Sequence, residues 1–364
     1  MKNLKTSYGI YSKLFLGIVS FIHLLSAWIA FLFVIRFRGD ANKYWFITQS
    51  PEKFLQKAPL PLREYLLYYI NYLPAVILDL PLWVGFVLYS AVGMAGIYLL
   101  YRAFPLSFFT TPALLLVYAA VLLLPSMHFW TAMIGKEPVM FLGIALVILS
   151  MKNFKRFRSL FITGFIITGL IRPHVAAILL LAAFGGYLLT AKKLNLWLIP
   201  LMALILAAFG FILLQSHWIP GLSWTGFQRV LEIHHTQLSQ SNTYVPLETY
   251  SWPYKLYSFY FRPFPGEISN LWGWAMALEN IFTQFVVLGG FSALLLLLFR
   301  YNYKPNLQEW TILLFFFFLA IVLSMAYSNF GLISRMKVQS LPFMLLLSAY
   351  WMQTYLNLKK NDKT

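Results

Sequence analysis

The amino-acid sequence predicts an all-α protein, a polytopic bundle of about ten transmembrane helices. Its 364 residues are 60% hydrophobic and only 11% charged, whereas a soluble domain has about 25% charged residues. Runs of roughly 20 apolar residues recur along the chain, and each is long enough to cross the apolar core of a bilayer. The segments between these runs leave no room for a separate soluble domain, so residues 1–364 are predicted to form one integral membrane domain.

The first predicted span begins directly after the basic stretch MKNLKTSYGIYSK. Its apolar run of about 22 residues is longer than that of a typical signal peptide, and no A-x-A cleavage pattern follows it. We therefore predict an uncleaved first helix. The predicted spans are residues 14–35, 81–101, 108–126, 138–151, 159–171, 174–190, 194–215, 281–299, 310–328 and 338–356.

The net charge of +17 is explained by where the basic residues lie between the spans. One set of short connecting segments carries lysine and arginine with only two acidic residues, Glu309 and Asp362. Because basic residues collect in cytoplasmic loops, this set is predicted to lie inside together with both termini. The charge therefore indicates an N-in, C-in topology in a lipid bilayer and predicts no nucleic-acid partner. The absence of cysteine excludes disulfides and cysteine-based metal sites.

Two long segments lie outside under this topology, residues 36–80 and 216–280. The first contains REYLLYYINYLPAVIL, whose mixture of aromatic and apolar residues is typical of helices that lie in the membrane interface. Between two short spans, the stretch IRPH contains a proline, which bends or ends a helix. Arg172 in this stretch is therefore expected just below the outer surface, facing the interior of the bundle.

Five polar stretches from separate parts of the chain converge on the outer face in this topology. Ionisable groups at the membrane are costly and are usually paired or functional. Any single one can be a surface anchor, but five at the ends of spans favour a site. The stretches are RFRGDANKYW (36–45), PSMHFWTAMIGKEP (125–138), IRPH (171–174), FRPFPGE (261–267) and SNFGLISRMK (328–337).

Asp40 is the strongest candidate for acid–base chemistry. It follows Gly39 just beyond the first span, and Arg36, Arg38 and Lys43 flank it. A carboxylate at this point can act as a general base toward an acceptor hydroxyl that lies within hydrogen-bond reach. The alternative is that Asp40 only pairs with the neighbouring arginines.

The basic residues of these stretches suit an anion such as a lipid phosphate or pyrophosphate. Arginine offers a planar fork of donors that matches phosphate oxygens, and lysine adds a point charge. The same residues could instead bind phospholipid head groups or pair with Glu137 and Glu267. In FRPFPGE, two prolines stiffen the backbone and predict a preset pair of Arg262 and Glu267. The basic candidates are Lys136, Arg172, Arg262 and Arg335.

No metal or nucleotide motif stands out in the sequence. The six histidines show no H-E-x-x-H spacing, and D-x-D, G-x-S-x-G and P-loop patterns are absent. A divalent cation held by Asp40 and one glutamate is left open. His174 beside Arg172 could orient or protonate a phosphate, although a satisfied buried histidine is the simpler interpretation. The aromatic residues of 218–274 are typical of an interfacial belt, and a few could stack on a sugar ring.

The stretch GDANKY after the first span resembles the first external loop of the GT-C superfamily, which comprises integral membrane glycosyltransferases that use polyprenyl-phosphate-linked sugars. Other segments resemble bacterial multispanning proteins of polysaccharide assembly, and the similarity covers much of the chain in order. It implies a water-facing cavity at the outer membrane surface, which a lipid-linked donor enters laterally. These segments are PSMHFWTAMIGKEPVMFLGIAL, LIRPHVAAILLL, FRPFPGEISN and NFGLISRMKVQSLPF.

In GT-C enzymes the loop carboxylate is the base of an inverting displacement at the anomeric carbon, which implies that role for Asp40. The chain lacks the adjacent acidic pair of some GT-C loops and a soluble C-terminal domain, so acceptor recognition and catalysis stay open. The resemblance implies phosphate binding by Lys136, Arg172, His174, Arg262 and Arg335, and supporting roles for Tyr44, Glu137, Glu267 and Asn270.

Three hypotheses about function follow. The leading one is a membrane glycosyltransferase, or a related polysaccharide polymerase or ligase, that acts on a polyprenyl-linked donor and a saccharide or lipid-linked acceptor outside the bacterial inner membrane. The large predicted loop 216–280, with His217, Arg229, His234 and His235, also resembles the large periplasmic loop of such polymerases and ligases. The second is a transporter or flippase for a lipid-linked saccharide, which predicts charges along a path and an internal repeat, neither of which the sequence shows. The third is a non-catalytic assembly partner, which would tolerate Asp40→Ala.

Overall fold

The protein is all-helical in the part of the chain that a computed structural model describes. No strand occurs among these residues, where β pairing is limited to an isolated bridge between Tyr244 and Asn329. The predicted all-α class is therefore confirmed. The described residues are 2–47, 64–193, 200, 202–204, 207, 224–241 and 243–362.

The helices differ widely in length, from six residues in α2 to 36 in α1. A π-helical turn, Tyr72–Ile77, extends α3. In chain order the helices are α1 (Lys2–Phe37), α2 (Asp40–Trp45), α3 (Glu64–Asn71), α4 (Leu82–Ala103), α5 (Pro112–Leu122), α6 (Pro125–Thr131), α7 (Lys136–Ser150), α8 (Arg158–Ile171), α9 (Pro173–Thr190), α10 (Trp224–Ser239), α11 (Trp252–Phe261), α12 (Leu271–Tyr301), α13 (Leu307–Ala326), α14 (Phe330–Lys337) and α15 (Leu341–Asn361).

Six helical segments of the described chain are long and apolar enough to cross a membrane, or seven if the bent pair α14–α15 counts as one span. They identify the chain as an integral membrane protein. About ten spans were predicted, and that number is not confirmed. Helices α7 and α8 have 15 and 14 residues, so at 1.5 Å per residue each falls short of a core about 30 Å thick. The predicted span 194–215 lies almost wholly outside the described residues.

Helix α12 begins well before the predicted span 281–299. Asn270 caps it, because its side-chain oxygen accepts a hydrogen bond of 2.8 Å from the backbone N–H of Gly273. A side chain that satisfies a free N–H at a helix start stabilises that start. The predicted loop 216–280 is therefore helical over its last residues, and it also contains α10 and α11.

Polar contacts join the termini of different helices at each of the two ends of the bundle. At one end Asp40, which follows α1, reaches Arg335 of α14; we call this the Asp40 end. At the other end Gln353 of α15 accepts hydrogen bonds of 3.1 Å from the N–H groups of Thr110 and Thr111. Chain order then places the start of α7 and the α8–α9 junction at the Asp40 end.

Helices α1, α4 and α6 pack closely around two buried histidines. The Nδ1 atoms of His23 and His128 lie 2.9 Å apart, and His23 Nε2 lies 3.0 Å from the carbonyl oxygen of Ser90. Gly93 permits this approach, because a Cβ on it would lie only 2.0 Å from the carbonyl oxygen of Thr131. These histidines therefore join helices within the core.

We expect Gly93→Ala to destabilise the protein by about 1–3 kcal/mol, because the added methyl group overpacks the contact between α4 and α6. Thermal unfolding in detergent would show this as a lower midpoint. Gly17→Ala is the matched control, since a Cβ there meets nothing within 4 Å and alanine favours a helix over glycine. A midpoint for Gly93→Ala equal to that of the control would contradict the packing.

Candidate functional site

Asp40 is held by a turn and by the anchoring of the short helix α2. Arg38 and Gly39 have positive φ angles of 56° and 143°, so the helix is broken after α1 and Asp40 is the first residue of α2. The indole N–H of Trp45 donates to the carbonyl of Leu80 at 3.2 Å. This bond fixes the far end of α2 and so the place of Asp40 at the rim of the bundle.

Tyr44, a predicted supporting residue, is a buried residue of α2. Its backbone carbonyl accepts a hydrogen bond of 3.0 Å from the Asn71 side chain, and its ring meets the edge of Tyr68 at 5.8 Å between centroids. Tyr44 therefore anchors α2 on α3.

Four of the predicted site residues form one network of ion pairs, which we call the charge network: Asp40, Glu137, Arg172 and Arg335. Arg335 Nη1 donates to Asp40 Oδ2 at 3.1 Å. Its Nε lies 2.6 Å from Glu137 Oε1, without the alignment of a hydrogen bond. Arg172 Nη2 donates to the same oxygen at 2.6 Å. Asp40 therefore pairs with an arginine far along the chain, and four separate stretches meet here.

Glu137 is the centre of the charge network. Its side chain is 4% exposed, and a carboxylate in such a position is costly unless it is paired. Burial acts to raise the pKa of Glu137, but the positive charges of Arg335 and then Arg172 outweigh it and hold the pKa below its ordinary value. Glu137 is therefore ionised and links the two arginines.

Arg172 lies at the break that IRPH predicts. Helix α8 ends at Ile171 and α9 begins at Pro173, so Arg172 has a non-helical backbone between them, with φ −139° and ψ 84°. Its side chain points into the bundle, where it is almost fully buried and contacts the sulfur of Met336. The predicted inward orientation of Arg172 is confirmed.

Arg262 and Glu267 form the preset pair that the sequence predicts. Arg262 Nε lies 2.9 Å and 3.1 Å from the two carboxylate oxygens of Glu267, and Arg262 Nη1 donates to the hydroxyl of Tyr250 at 2.8 Å. The backbone N–H of Phe264 also donates to Glu267 at 2.6 Å, and the Arg262–Pro263 peptide is cis. The loop thus holds its own ion pair in one geometry.

Helix α14 connects this pair to the charge network. Its first residue, Phe330, places its ring 5.3 Å from the Arg262 guanidinium, and Arg335 lies further along the same helix. Asn329 caps the helix by accepting from the N–H of Leu332 at 3.1 Å. Helix α14 therefore contacts Arg262 at its first residue and carries Arg335 of the charge network near its end.

Lys337 was missed by the sequence analysis. It is fully buried at the end of α14, where its ammonium group donates to Asn280 and, at 3.4 Å, to the carbonyl of Tyr260. Asn280 in turn donates to the carbonyl of Pro263 at 3.0 Å. These bonds fasten the Arg262 loop to α12 and α14. The sequence feature that could have indicated Lys337 is its position in SRMK, two residues after the candidate Arg335.

A pocket of about 240 Å³ lies between the Arg262 loop and the charge network. Trp130 connects it to the network, because its ring lies 6.0 Å from the Arg335 guanidinium. Inside the pocket the Glu279 carboxylate accepts from the Ser126 N–H at 2.9 Å and from its hydroxyl. The lining residues are Phe33, Pro125, Ser126, Phe129, Trp130, Thr243, Ile268, Asn270, Trp272, Ala275, Met276, Glu279, Gly331 and Ser334.

The remaining predicted residues lie around this centre or outside the described chain. Lys136 and His174 follow Gly135 and Pro173 at the starts of α7 and α9, at the Asp40 end. Arg229 is exposed on α10. His217 lies outside the described residues, as does the side chain of His234. Among the residues that are described, no three His, Asp or Glu side chains are arranged to hold a metal ion, so no cation site is proposed.

Comparison of the chain with protein-family models, with curated proteins and with solved structures finds no match. The class that the fold and the site define is an integral membrane protein with a cluster of paired charges and an aromatic pocket at one end of its bundle.

Proposed function

We propose that the protein is an integral membrane glycosyltransferase of the GT-C type that uses a polyprenyl-phosphate-linked sugar. Its Asp40 end faces away from the cytoplasm, and its product belongs to a cell-surface polysaccharide. The observation that carries the proposal is the charge network of Asp40, Glu137, Arg172 and Arg335 beside the aromatic pocket. Charge held this deep at a bundle end is costly and is usually functional.

Arg335 supports the binding of a phosphate at this point. Its guanidinium carries five N–H donors, of which one is directed at Asp40 and the Nε faces Glu137. No hydrogen bond from the other donors to a described residue is found, so they are available for oxygen atoms of a ligand, and the planar fork matches those of a phosphate. Lys136 at the start of α7 and the exposed Arg36 and Arg38 keep this end basic.

The pocket supports a substrate that is partly sugar and partly lipid. Phe33 and Trp272 meet edge to face with 6.3 Å between their centroids, and Phe129 joins them. Trp272 is 41% exposed, so part of this aromatic wall lies at the surface of the protein. Polar groups of Asn270 and Glu279 line the same pocket. Such a mixture of apolar walls with a few polar groups is typical of ligand pockets.

In the proposed reaction, an acceptor hydroxyl attacks the anomeric carbon of the donor sugar. Asp40 takes the proton of this hydroxyl as the new glycosidic bond forms, which is the role of a general base. The bond between the anomeric carbon and the phosphate oxygen breaks, and the electron pair leaves with the polyprenyl phosphate. Arg335, held in place by Glu137, stabilises this charge by hydrogen bonds that are present before the reaction.

A polysaccharide polymerase or ligase would use the same chemistry with a glycan as the acceptor. A lipid-linked saccharide transporter would need charges along a path across the membrane. In the described chain the buried Asp, Glu, Lys and Arg side chains lie at the Asp40 end. The exception is Glu309, which forms a capping box with Asn306 at the start of α13. This distribution favours the transferase.

The proposal is tested in cells that lack the protein and carry either the wild type or Arg335→Lys. Lysine keeps the charge that faces Glu137 but loses the planar fork. We expect loss of the surface glycan and accumulation of lipid-linked precursors in the deletion strain and with Arg335→Lys, as measured by mass spectrometry. Arg300→Lys is the control, because the Arg300 side chain is 60% exposed at the opposite end, where it forms a long ion pair of 3.9 Å with Asp362 and lies 5.6 Å from the Tyr301 ring centroid. A deletion strain with normal glycan and normal precursors would overturn the proposal.

A further inference from the structure

A second pocket of about 440 Å³ opens at the Asp40 end. It lies between α10, the start of α11 with the stretch that precedes it, and the last turn of α13. It is separate from the pocket beside the charge network, with which it shares no lining residue. Its lining residues are Gln228, Glu232, His235, Thr236, Glu248, Trp252, Lys255 and Met325.

Glu248 and His235 are held in fixed positions in this pocket. Ser328 Oγ lies 2.9 Å from Glu248 Oε2 and 2.7 Å from His235 Nδ1, and His235 Nε2 lies 2.9 Å from the carbonyl oxygen of Met325. The hydroxyl of Tyr244 donates to the other oxygen of Glu248. Hydrogen-bonding groups that are fixed before a ligand arrives cost less to order on binding.

Glu248 is a hydrogen-bond acceptor at neutral pH. Burial acts to raise its pKa, but the hydrogen bonds from Tyr244 and Ser328, with the nearby His235, hold the pKa below its ordinary value. The same contact raises the pKa of Tyr244 to about 12. Tyr244 is therefore neutral and stays a donor to an ionised Glu248.

Trp252 gives the pocket a flat apolar wall. Its side chain is 50% exposed, and the Lys255 ammonium lies 4.9 Å from the ring centroid. Gln228 and Glu232 are exposed on the facing surface of α10. The pocket thus combines a half-exposed indole ring with carboxylate, amide, imidazole and ammonium groups. A sugar ring has matching chemistry, since its C–H face packs on an aromatic ring and its hydroxyls both donate and accept.

The pocket is also connected to the proposed reaction centre. Tyr250, two residues after Glu248, accepts the hydrogen bond from Arg262. Ser328 directly precedes Asn329, which caps the helix that carries Arg335. A ligand bound to Glu248 therefore lies next to the segments that hold Arg262 and Arg335.

We infer that this pocket binds the saccharide acceptor of the protein. Its function as an acceptor site rests on the proposed transferase, whereas saccharide binding itself can be measured without turnover. The side chains that we expect to bind the sugar are Trp252, by stacking, and Glu248, by accepting hydrogen bonds from hydroxyl groups.

The test uses the purified full-length protein and, as the probe, oligosaccharides released by mild acid from the envelope glycan of the producing cells. Saturation-transfer NMR and calorimetry measure their binding. We expect Trp252→Ala and Glu248→Gln each to weaken it about tenfold, as one lost stacking contact or one charged hydrogen bond does. Trp83→Ala is the control, since Trp83 is also 50% exposed but lies on α4. Equal thermal unfolding midpoints would show that the variants are folded.

The saccharide site is overturned if the wild type binds none of these oligosaccharides, or if both variants bind them as the wild type does. It is also overturned if lysine-rich peptides bind in a manner that depends on Trp252 and oligosaccharides do not. Failure of the proposed transferase is seen separately, as a deletion strain that accumulates no lipid-linked precursor.

Discussion

Glu137→Gln is expected to lower the free energy of unfolding by about 3–5 kcal/mol, the cost of breaking a buried ion pair by removal of one partner. The substitution keeps the size of the side chain but leaves Arg172 and Arg335 close together without a carboxylate between them. Both guanidinium groups contact the same oxygen of Glu137 now. The measurement is unfolding in detergent, followed by loss of helical signal.

Asp362→Asn is the matched control for this stability prediction. Asp362 pairs with Arg300 at 3.9 Å, and both side chains are about half exposed. Exposed pairs contribute about 0–1 kcal/mol, so the control should unfold close to the wild type. If Glu137→Gln were as stable as this control, the two arginines would not depend on Glu137.

The pH dependence of stability gives a second measurement on the same residue. The folded-state pKa of Glu137 lies below the ordinary value of 4.5, so the folded state binds this proton less tightly than the unfolded state. The stabilising contribution of Glu137 is therefore fully present above about pH 4.5 and is lost as the pH falls through the lower folded pKa. In Glu137→Gln this part of the acid dependence should be absent.

The class of the fold could be predicted because the apolar runs and the placement of basic residues are direct signals of a bilayer. The break at Arg172 could also be predicted, since proline limits what the backbone can do. The number of spans could not be predicted from composition, because a short apolar helix that is buried by its neighbours has the same composition as a lipid-facing span. Helix α7, which packs between α4 and α8, is such a case.

The charges in the sequence indicated the candidate residues, but the ion-pair partners of these residues could not be predicted from the sequence. Asp40 was predicted as a general base, with pairing to the neighbouring arginines as the alternative, whereas the arginine that it contacts, Arg335, comes from the other end of the chain. Glu137 was assigned a supporting role and is the centre of the network. Pairings of this kind depend on how α1, α7 and α14 pack, and no local pattern records that. Lys337 went unnoticed because a lone lysine near a span usually indicates the membrane surface.

Asp40→Asn is expected to lower the rate of sugar transfer by about 10²–10⁴-fold, the usual contribution of a general base. Asparagine has the same shape and still accepts a hydrogen bond from Arg335, so folding should be unaffected. The Asp40 side chain is 56% exposed, and an ion pair of this kind contributes at most about 1 kcal/mol, or roughly fivefold in an equilibrium. A loss of rate larger than about fivefold would therefore indicate that Asp40 acts as a base and does not only pair with Arg335.

The rate is measured as transfer from endogenous lipid-linked precursor to glycan in isolated membranes, with equal amounts of folded protein. Asp79→Asn is the control, because Asp79 is an exposed aspartate of the same connecting segment whose φ of 46° suits asparagine well. Asp40→Glu should recover part of the activity, since it restores a carboxylate that can take a proton. If Asp40→Asn transfers sugar within about fivefold of the wild type, Asp40 is not the base, and the charge network serves to bind phosphate or to hold the ends of the helices together.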